Sequence, residues 1–338
     1  MGIRDYPNGV MVVRTLLVEY LLLPEGVIVF GVRRDWNQPA VARFPMNMSD
    51  LALFVESNFG SGKQVRDFVE LGMEPAWHLY DRLIAPVKEW CEPGDVVYLI
   101  PHGVLHYVPI HAWRVDGRPL VERNPIVYSP SASVLGSIRS RRTRLSAPEV
   151  AVLGDSLGDL PYSRAEATQI ADLLGTKPLL GSDATRPALL EGLSTADVVH
   201  IAGHGHFVND DPLASGVFLA ERDNLSAADV FRLPPVKASL ITLSGCETGV
   251  SRNRPGDELV GLTRAFLYAR ASALVVSLWS VADQSTAFLM GRFYSHLFSD
   301  RTVSTAHALQ AAMVDTMSRP EWSSLYHWAP FVLTGDWH

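Results

Sequence analysis

The sequence predicts an α/β protein built on a mainly parallel sheet with helices on both faces, and three observations carry that reading. Short apolar, β-branched runs alternate with longer amphipathic segments, the pattern of strands and helices packed in layers. Several runs are apolar throughout rather than at every second position, as in strands buried on both faces. Two of them stop abruptly in small residues and then present one reactive side chain: Val199-His200-Ile201-Ala202-Gly203-His204-Gly205 and Ile241-Thr242-Leu243-Ser244-Gly245-Cys246-Glu247-Thr248-Gly249. In parallel sheets the residues just beyond the carboxyl ends line the ligand crevice.

In chain order, segments 15–23 and 27–32 read as strands joined by Pro24-Glu25-Gly26, a hairpin by its turn chemistry. Segments 50–57, 65–71 and 77–90 read as helices. Pro86 should bend or interrupt the last, because proline lacks the N–H that an inner helical residue donates. Segment 95–100 is an apolar strand leading into Pro101-His102-Gly103-Val104-Leu105-His106. Strand 126–128 leads to Ser129-Pro130-Ser131-Ala132-Ser133, where no thiol follows, so this part is expected to be a degenerate, structural lobe. Arg139, Arg141, Arg142 and Arg144 lie in a polar stretch that reads as a solvated linker. The expected division is therefore 1–145 and 146–338.

The second part alternates regularly. Segment 150–154 is a strand, and Ser163-x-x-Glu166 reads as a capping box opening a helix that runs to Leu174. Strand 198–202 carries the histidines, 226–231 is a short helix, and strand 239–243 precedes the cysteine. An amphipathic helix at 259–270, a buried strand at 273–279 and helices at 285–298 and 305–317 complete the pattern.

Composition bounds the function. Of 338 residues, 47% are hydrophobic and 19% charged, an ordinary filled core with no sign of disorder. The net charge of −7 argues against a sequence-independent grip on nucleic acid. There is no signal-peptide pattern, and the apolar runs are too short to span a bilayer, so no membrane partner is expected. Two cysteines make no disulfide framework, which makes a reducing, cytoplasmic setting the default.

The chemistry follows from the two strand ends. The nucleophile of a cysteine enzyme is the thiolate, and at a free pKa of about 8.5 little of it exists at neutral pH. A neighbouring imidazole supplies the proton acceptor and then the acid for the leaving group. Cys246 and His204 are thus the candidate catalytic pair of a cysteine protease. Cys91, at the end of an amphipathic segment before a turn, reads as structural. His200, His204 and His206 form an H-x3-H-x-H pattern, but no carboxylates or cysteines nearby complete a tetrahedral set, so neither metal nor cofactor is expected.

With these motifs assembled, the second part resembles the CHAT domain, a caspase-like peptidase domain often attached to tetratricopeptide repeats and related to caspases and separase. The matching segments include His204-Gly205, Leu243-Ser244-Gly245-Cys246-Glu247-Thr248-Gly249, Gly261-Leu262-Thr263-Arg264-Ala265-Phe266-Leu267 and Ser277-Leu278-Trp279-Ser280-Val281-Ala282-Asp283. The terminal Trp328-Ala329-Pro330-Phe331-Val332-Leu333-Thr334-Gly335-Asp336-Trp337 also matches. The first part resembles the region that commonly precedes that core, through its two strand-end motifs. The resemblance implies a caspase-like fold: a catalytic core over 146–338 preceded by a pseudo-caspase-like lobe. The chain begins just ahead of the first hairpin, without the usual repeats, so a separate regulatory or sensor protein is expected.

The resemblance also implies roles. Cys246 would attack the scissile carbonyl, with His204 as base and then acid, and the N–H groups of Gly205 and Cys246 would hold the oxyanion. No residue orienting His204 is evident, and caspase-like enzymes do not depend on a carboxylate there. In separases an acidic residue after the strand that follows the nucleophile receives a basic side chain. Asp283 occupies the matching place, and it is equally suited to cap the next helix. Asp257 and Glu258 could form a pocket wall or serve as favourable charges at a helix start, and Ser244 joins the substrate-binding candidates. The implied substrate is a protein partner, such as a gasdermin-like or other stress or defence effector in bacteria. A catalytically silent scaffold binding a partner peptide is the alternative.

Overall fold

The structure, a computed structural model, describes residues 14–139, 148–206, 208, 211, 213–244, 257–279, 283–300 and 302–338. Its strands in chain order are β1 (Thr15–Leu23), β2 (Gly26–Arg33), β3 (Ala40–Pro45) and β4 (Val96–Ile100), then a small ribbon of β5 (Arg114–Val115) and β6 (Arg118–Pro119). There follow β7 (Ile126–Tyr128), β8 (Val150–Gly154), β9 (Leu179–Leu180) and β10 (Val198–Ala202). A three-stranded flap comprises β11 (Gly205–His206), β12 (Gly216–Phe218) and β13 (Asn224–Ser226). The last strands are β14 (Leu240–Ser244), β15 (Ala273–Ser277) and β16 (Phe331–Gly335).

One 11-stranded sheet organises the molecule, in the order β3-β2-β1-β4-β7-β16-β15-β14-β10-β8-β9. Its described neighbours pair in parallel except at β1–β2, β2–β3 and β15–β16. Strands β4, β10, β14, β15 and β16 are buried at every position. That is why they read as continuous apolar runs: both faces are covered by helices. The edge strand β3 alternates instead, with one face exposed. The mixed, mostly parallel sheet covered by helices is the expected fold class.

Pro86 does interrupt its segment: a short helix Glu74–Trp77 and a 3-10 turn His78–Leu83 precede it, and Val87–Trp90 follows. The capping box at Ser163 does not form. The helix starts earlier, at Pro161, whose missing N–H costs nothing in a first turn, so Ser163 and Glu166 lie inside it. Both are buried. The helix ends as glycine allows, with Gly175 at φ 68°.

Helix Arg186–Thr195 is an element beyond those read from the sequence, although its start was signalled locally. The Thr185 hydroxyl accepts the Ala188 N–H at 3.3 Å, and Pro187 occupies the first turn. The sheet crosses residue 145 without a break, because C-terminal β16 inserts beside β7, with Thr334 opposite Tyr128. Among the described residues no helix is long and apolar enough to cross a membrane.

Candidate active site

Strands β10 and β14 are parallel neighbours, and Ala202 pairs with Ser244, so the two strands end level. Gly203 donates its N–H to the Ser244 carbonyl at 3.1 Å, closing the pair one residue further on. His204 follows at once. Its carbonyl accepts the Phe218 N–H at 3.0 Å, and Gly205 pairs with Val217 in the flap, which gives the turn after β10 a fixed exit. Cys246, two residues beyond Ser244 in sequence, lies outside the described residues.

The His204 ring is 13% exposed, and its Nε2 lies 2.8 Å from Oδ1 of Asp159. A carboxylate can only accept, so Nε2 carries the proton of the neutral ring and Nδ1 holds the lone pair that can act as base. Asp159 stands on the loop between β8 and helix Pro161–Leu174, and that loop is firmly built. At its start Asp155 takes a left-handed conformation, φ 47°. The buried Asp155 carboxylate accepts the Leu160 N–H at 2.8 Å and Arg164 Nε at 2.7 Å. Its own N–H donates to Ala202 at 2.9 Å, and the Ser156 hydroxyl donates to the Phe218 carbonyl at 2.8 Å. The loop is therefore tied to the same strand and flap that hold His204.

Beneath these strand ends lies a buried polar chain. His200 Nε2 is 3.0 Å from Glu166 Oε1, and Ser244 Oγ donates a short hydrogen bond to the same oxygen. His200 Nδ1 is 3.2 Å from the Tyr294 hydroxyl, which donates to Thr242 Oγ1 at 2.9 Å. Burial raises the Tyr294 phenol above its usual range, with the Thr242 bond opposing and Glu166 adding to the rise. Two expectations meet these contacts. Ser244, counted with the substrate-binding residues, is 1% exposed and turns its hydroxyl inward to Glu166. His200, part of the H-x3-H-x-H pattern, is fully buried with both ring nitrogens engaged internally.

The remaining candidates are placed by their backbones. Asp257 opens helix Asp257–Tyr268 with Glu258 next to it, and Asp283 opens helix Asp283–Ser299. Their side chains lie outside the described residues. Cys91 is 4% exposed, and burial, its largest influence, raises its thiol pKa despite the opposing Arg123 guanidinium.

The CHAT domain family model matches residues 73–336, most of the chain and both sides of residue 145. The chain belongs to the CHAT domain family. Tetratricopeptide repeat protein 28 of Homo sapiens is 29% identical over a match covering 78% of this chain, and its Mus musculus counterpart 27% over 83%. The chain spans only 13% and 14% of the length of those relatives. Among solved structures, a chain of the Saccharomyces cerevisiae separase–securin complex superimposes with TM-score 0.63 and 10% identity, over 96% of this chain and 30% of that one. The Arg-specific cysteine proteinase gingipain R superimposes with TM-score 0.51 and 11% identity, over 71% and 62%. The fold is thus that of the caspase-like cysteine peptidases.

Within this CHAT domain, Asp159 is the residue beside candidate His204 that the sequence did not single out. Its signal was weaker than that of His204, because it lies five residues past β8 where His204 lies two past β10, and only the sheet order shows that β8 lies beside β10. For a peptidase whose base is His204, Asp159→Ala is expected to lower kcat/KM about tenfold. That is well short of the roughly 10⁴-fold loss for a buried triad aspartate, because Asp159 is 56% exposed and water can replace it. Cleavage rates of wild type and variant on one peptide check this; equal rates would remove Asp159 from the site.

Proposed function

We propose that this CHAT domain is a cysteine endopeptidase in which His204 serves Cys246. The observation that carries the reading is His204, two residues past the end of β10, with its Nε2 directed at Asp159 at 2.8 Å. In sequence, Cys246 follows Ser244, the last residue of the neighbouring strand, by two positions. In this mechanism the Cys246 thiol passes its proton to His204, and its sulfur bonds to the scissile carbonyl carbon. The displaced electron pair makes an oxyanion, held by the N–H groups of Gly205 and Cys246. Collapse expels the amine, which takes the proton from His204, and leaves a thioester. Water then adds with His204 as base, releasing the acid and restoring the thiol.

The proposed substrate is a protein partner, such as a gasdermin-like or other stress or defence effector in bacteria, with a separate protein switching the activity. A cytoplasmic setting keeps the thiol reduced. Cleavage after a basic residue is proposed, with Asp283 receiving the side chain and Asp257 and Glu258 walling the pocket. Support comes from the separase-like position of Asp283 and from the arginine specificity in the name of gingipain R. A panel of fluorogenic peptides differing in the residue before the cut tests this. Basic peptides should be cleaved best, and Asp283→Ala should lower kcat/KM on them by about one to two orders of magnitude, the loss of a charge-assisted pair. Cleavage after leucine or aspartate would defeat the specificity assignment. A lowered melting temperature with preference intact would leave Asp283 as a helix-start charge.

A further inference from the structure

The polar chain beneath the strand ends is unusual for its position. Val199, Ile201, Ile241 and Leu243 of β10 and β14 are apolar and buried, yet Glu166, His200 and Ser244 are 3%, 0% and 1% exposed. Burying a carboxylate and an imidazole is unfavourable unless each polar atom is partnered, and partnered groups of this kind hold direction far more tightly than hydrocarbon does. Glu166 Oε1 takes both the Ser244 hydroxyl and His200 Nε2, which lies 3.5 Å from Ser244 Oγ. On the other side, His200 Nδ1 meets Tyr294, whose hydroxyl returns to Thr242 on the strand that carries Ser244.

Ser244 is therefore gripped twice. Its side chain is held by Glu166, from helix Pro161–Leu174, and its carbonyl by the N–H of Gly203, the residue before His204. We propose that Glu166 and His200 are positioning residues. Through Ser244 they fix the end of the strand that leads into the nucleophile segment, and its register against the strand end that presents His204. The proposal rests on the cysteine-peptidase reading. Attack by sulfur depends steeply on alignment, and a displacement of about 1 Å can cost 10²-fold. Loosening Ser244 should therefore act on the chemical step rather than on substrate capture.

The test uses the full chain and reads two quantities: the rate at which iodoacetamide modifies Cys246, followed by peptide mass mapping, and kcat and KM on a cleaved peptide. Glu166→Gln and Ser244→Ala should each slow Cys246 modification about tenfold and lower kcat similarly, with KM changed less than about twofold. The double variant should lose little more than the worse single one, because both act through one contact. Thr316→Ala is the control. It removes a buried hydroxyl bonded to Ala312 at 2.8 Å in helix Thr305–Met317, and should lower the melting temperature without slowing Cys246 modification. Should Glu166→Gln fail to fold, Ser244→Ala, which deletes one oxygen, carries the test. Modification at the wild-type rate in folded variants overturns the positioning role and leaves the peptidase reading standing. A wild type that cleaves nothing fails the peptidase reading instead, while the iodoacetamide rates still decide the positioning role.

Discussion

Cys246→Ala and His204→Ala are each expected to abolish peptide cleavage, by at least about 10³-fold, while leaving the melting temperature close to that of wild type. The magnitude follows from the division of labour. Without the sulfur no thioester forms, and without the imidazole neither the thiol nor the leaving amine exchanges its proton. Because the two act as one unit, the double variant should be no worse than either single variant. Iodoacetamide should label Cys246 well before Cys91, which is buried with its thiol pushed up. His206→Ala should be much milder than His204→Ala. Chelators should have no effect, since His200 gives both its ring nitrogens to protein partners. Wild-type turnover by Cys246→Ala would sink the mechanism, inhibition by EDTA reversed by zinc would revive a metal role, and a wild type that binds but never cuts would make the domain a scaffold.

What could be read in the sequence divides along a physical line. Strands buried on both faces announce themselves, because nothing but apolar residues is tolerated over their length, as at β10, β14 and β15. Strands of two or three residues in the flap are too short to show a period, and they form because β12 pairs on both sides. His204 was legible because a lone reactive residue after a buried strand has few structural reasons to be there. Asp159 was not, because its role depends on a neighbour 45 positions away. Glu166 shows the opposite failure. Ser163-x-x-Glu166 satisfies a local capping rule, and the tertiary demand of His200 and Ser244 for an acceptor overrode it. The division near 145 rests on a polar stretch that reads as a linker, and such a stretch does not reveal that β16 returns to pair with β7.

That return bears on stability, and Trp279→Ala is expected to destabilise both lobes together by about 3–5 kcal/mol, the range for deleting a fully buried aromatic. Trp279 is 0% exposed, in the family segment Ser277-Leu278-Trp279. Its indole N–H donates to the Tyr326 carbonyl at 3.2 Å, and its ring lies 6.2 Å from Phe59 of helix Met48–Phe59 in the first lobe. Phe59 in turn meets Trp77 at 4.9 Å, so the cavity left by the truncation would open at the seam of one aromatic cluster. Other contacts cross the same seam. Arg66 bonds the Tyr326 hydroxyl at 2.8 Å, Gln310 donates to the Val121 carbonyl at 2.7 Å, and the rings of His111 and Trp328 lie 6.1 Å apart. Burial holds His111 neutral, with its pKa lowered to about 3 against the weaker opposing influence of the Ala329 backbone. With so much shared, neither lobe keeps a complete core alone, and unfolding should be one cooperative step. Denaturant titration with two probes checks this: far-ultraviolet circular dichroism for the whole chain, and iodoacetamide access to buried Cys91 for the first lobe. Both midpoints should fall together in Trp279→Ala. If Cys91 kept its wild-type midpoint while the dichroism split into two transitions, the lobes would be independent domains, and the strand pairing of β16 with β7 would contribute little to holding them together.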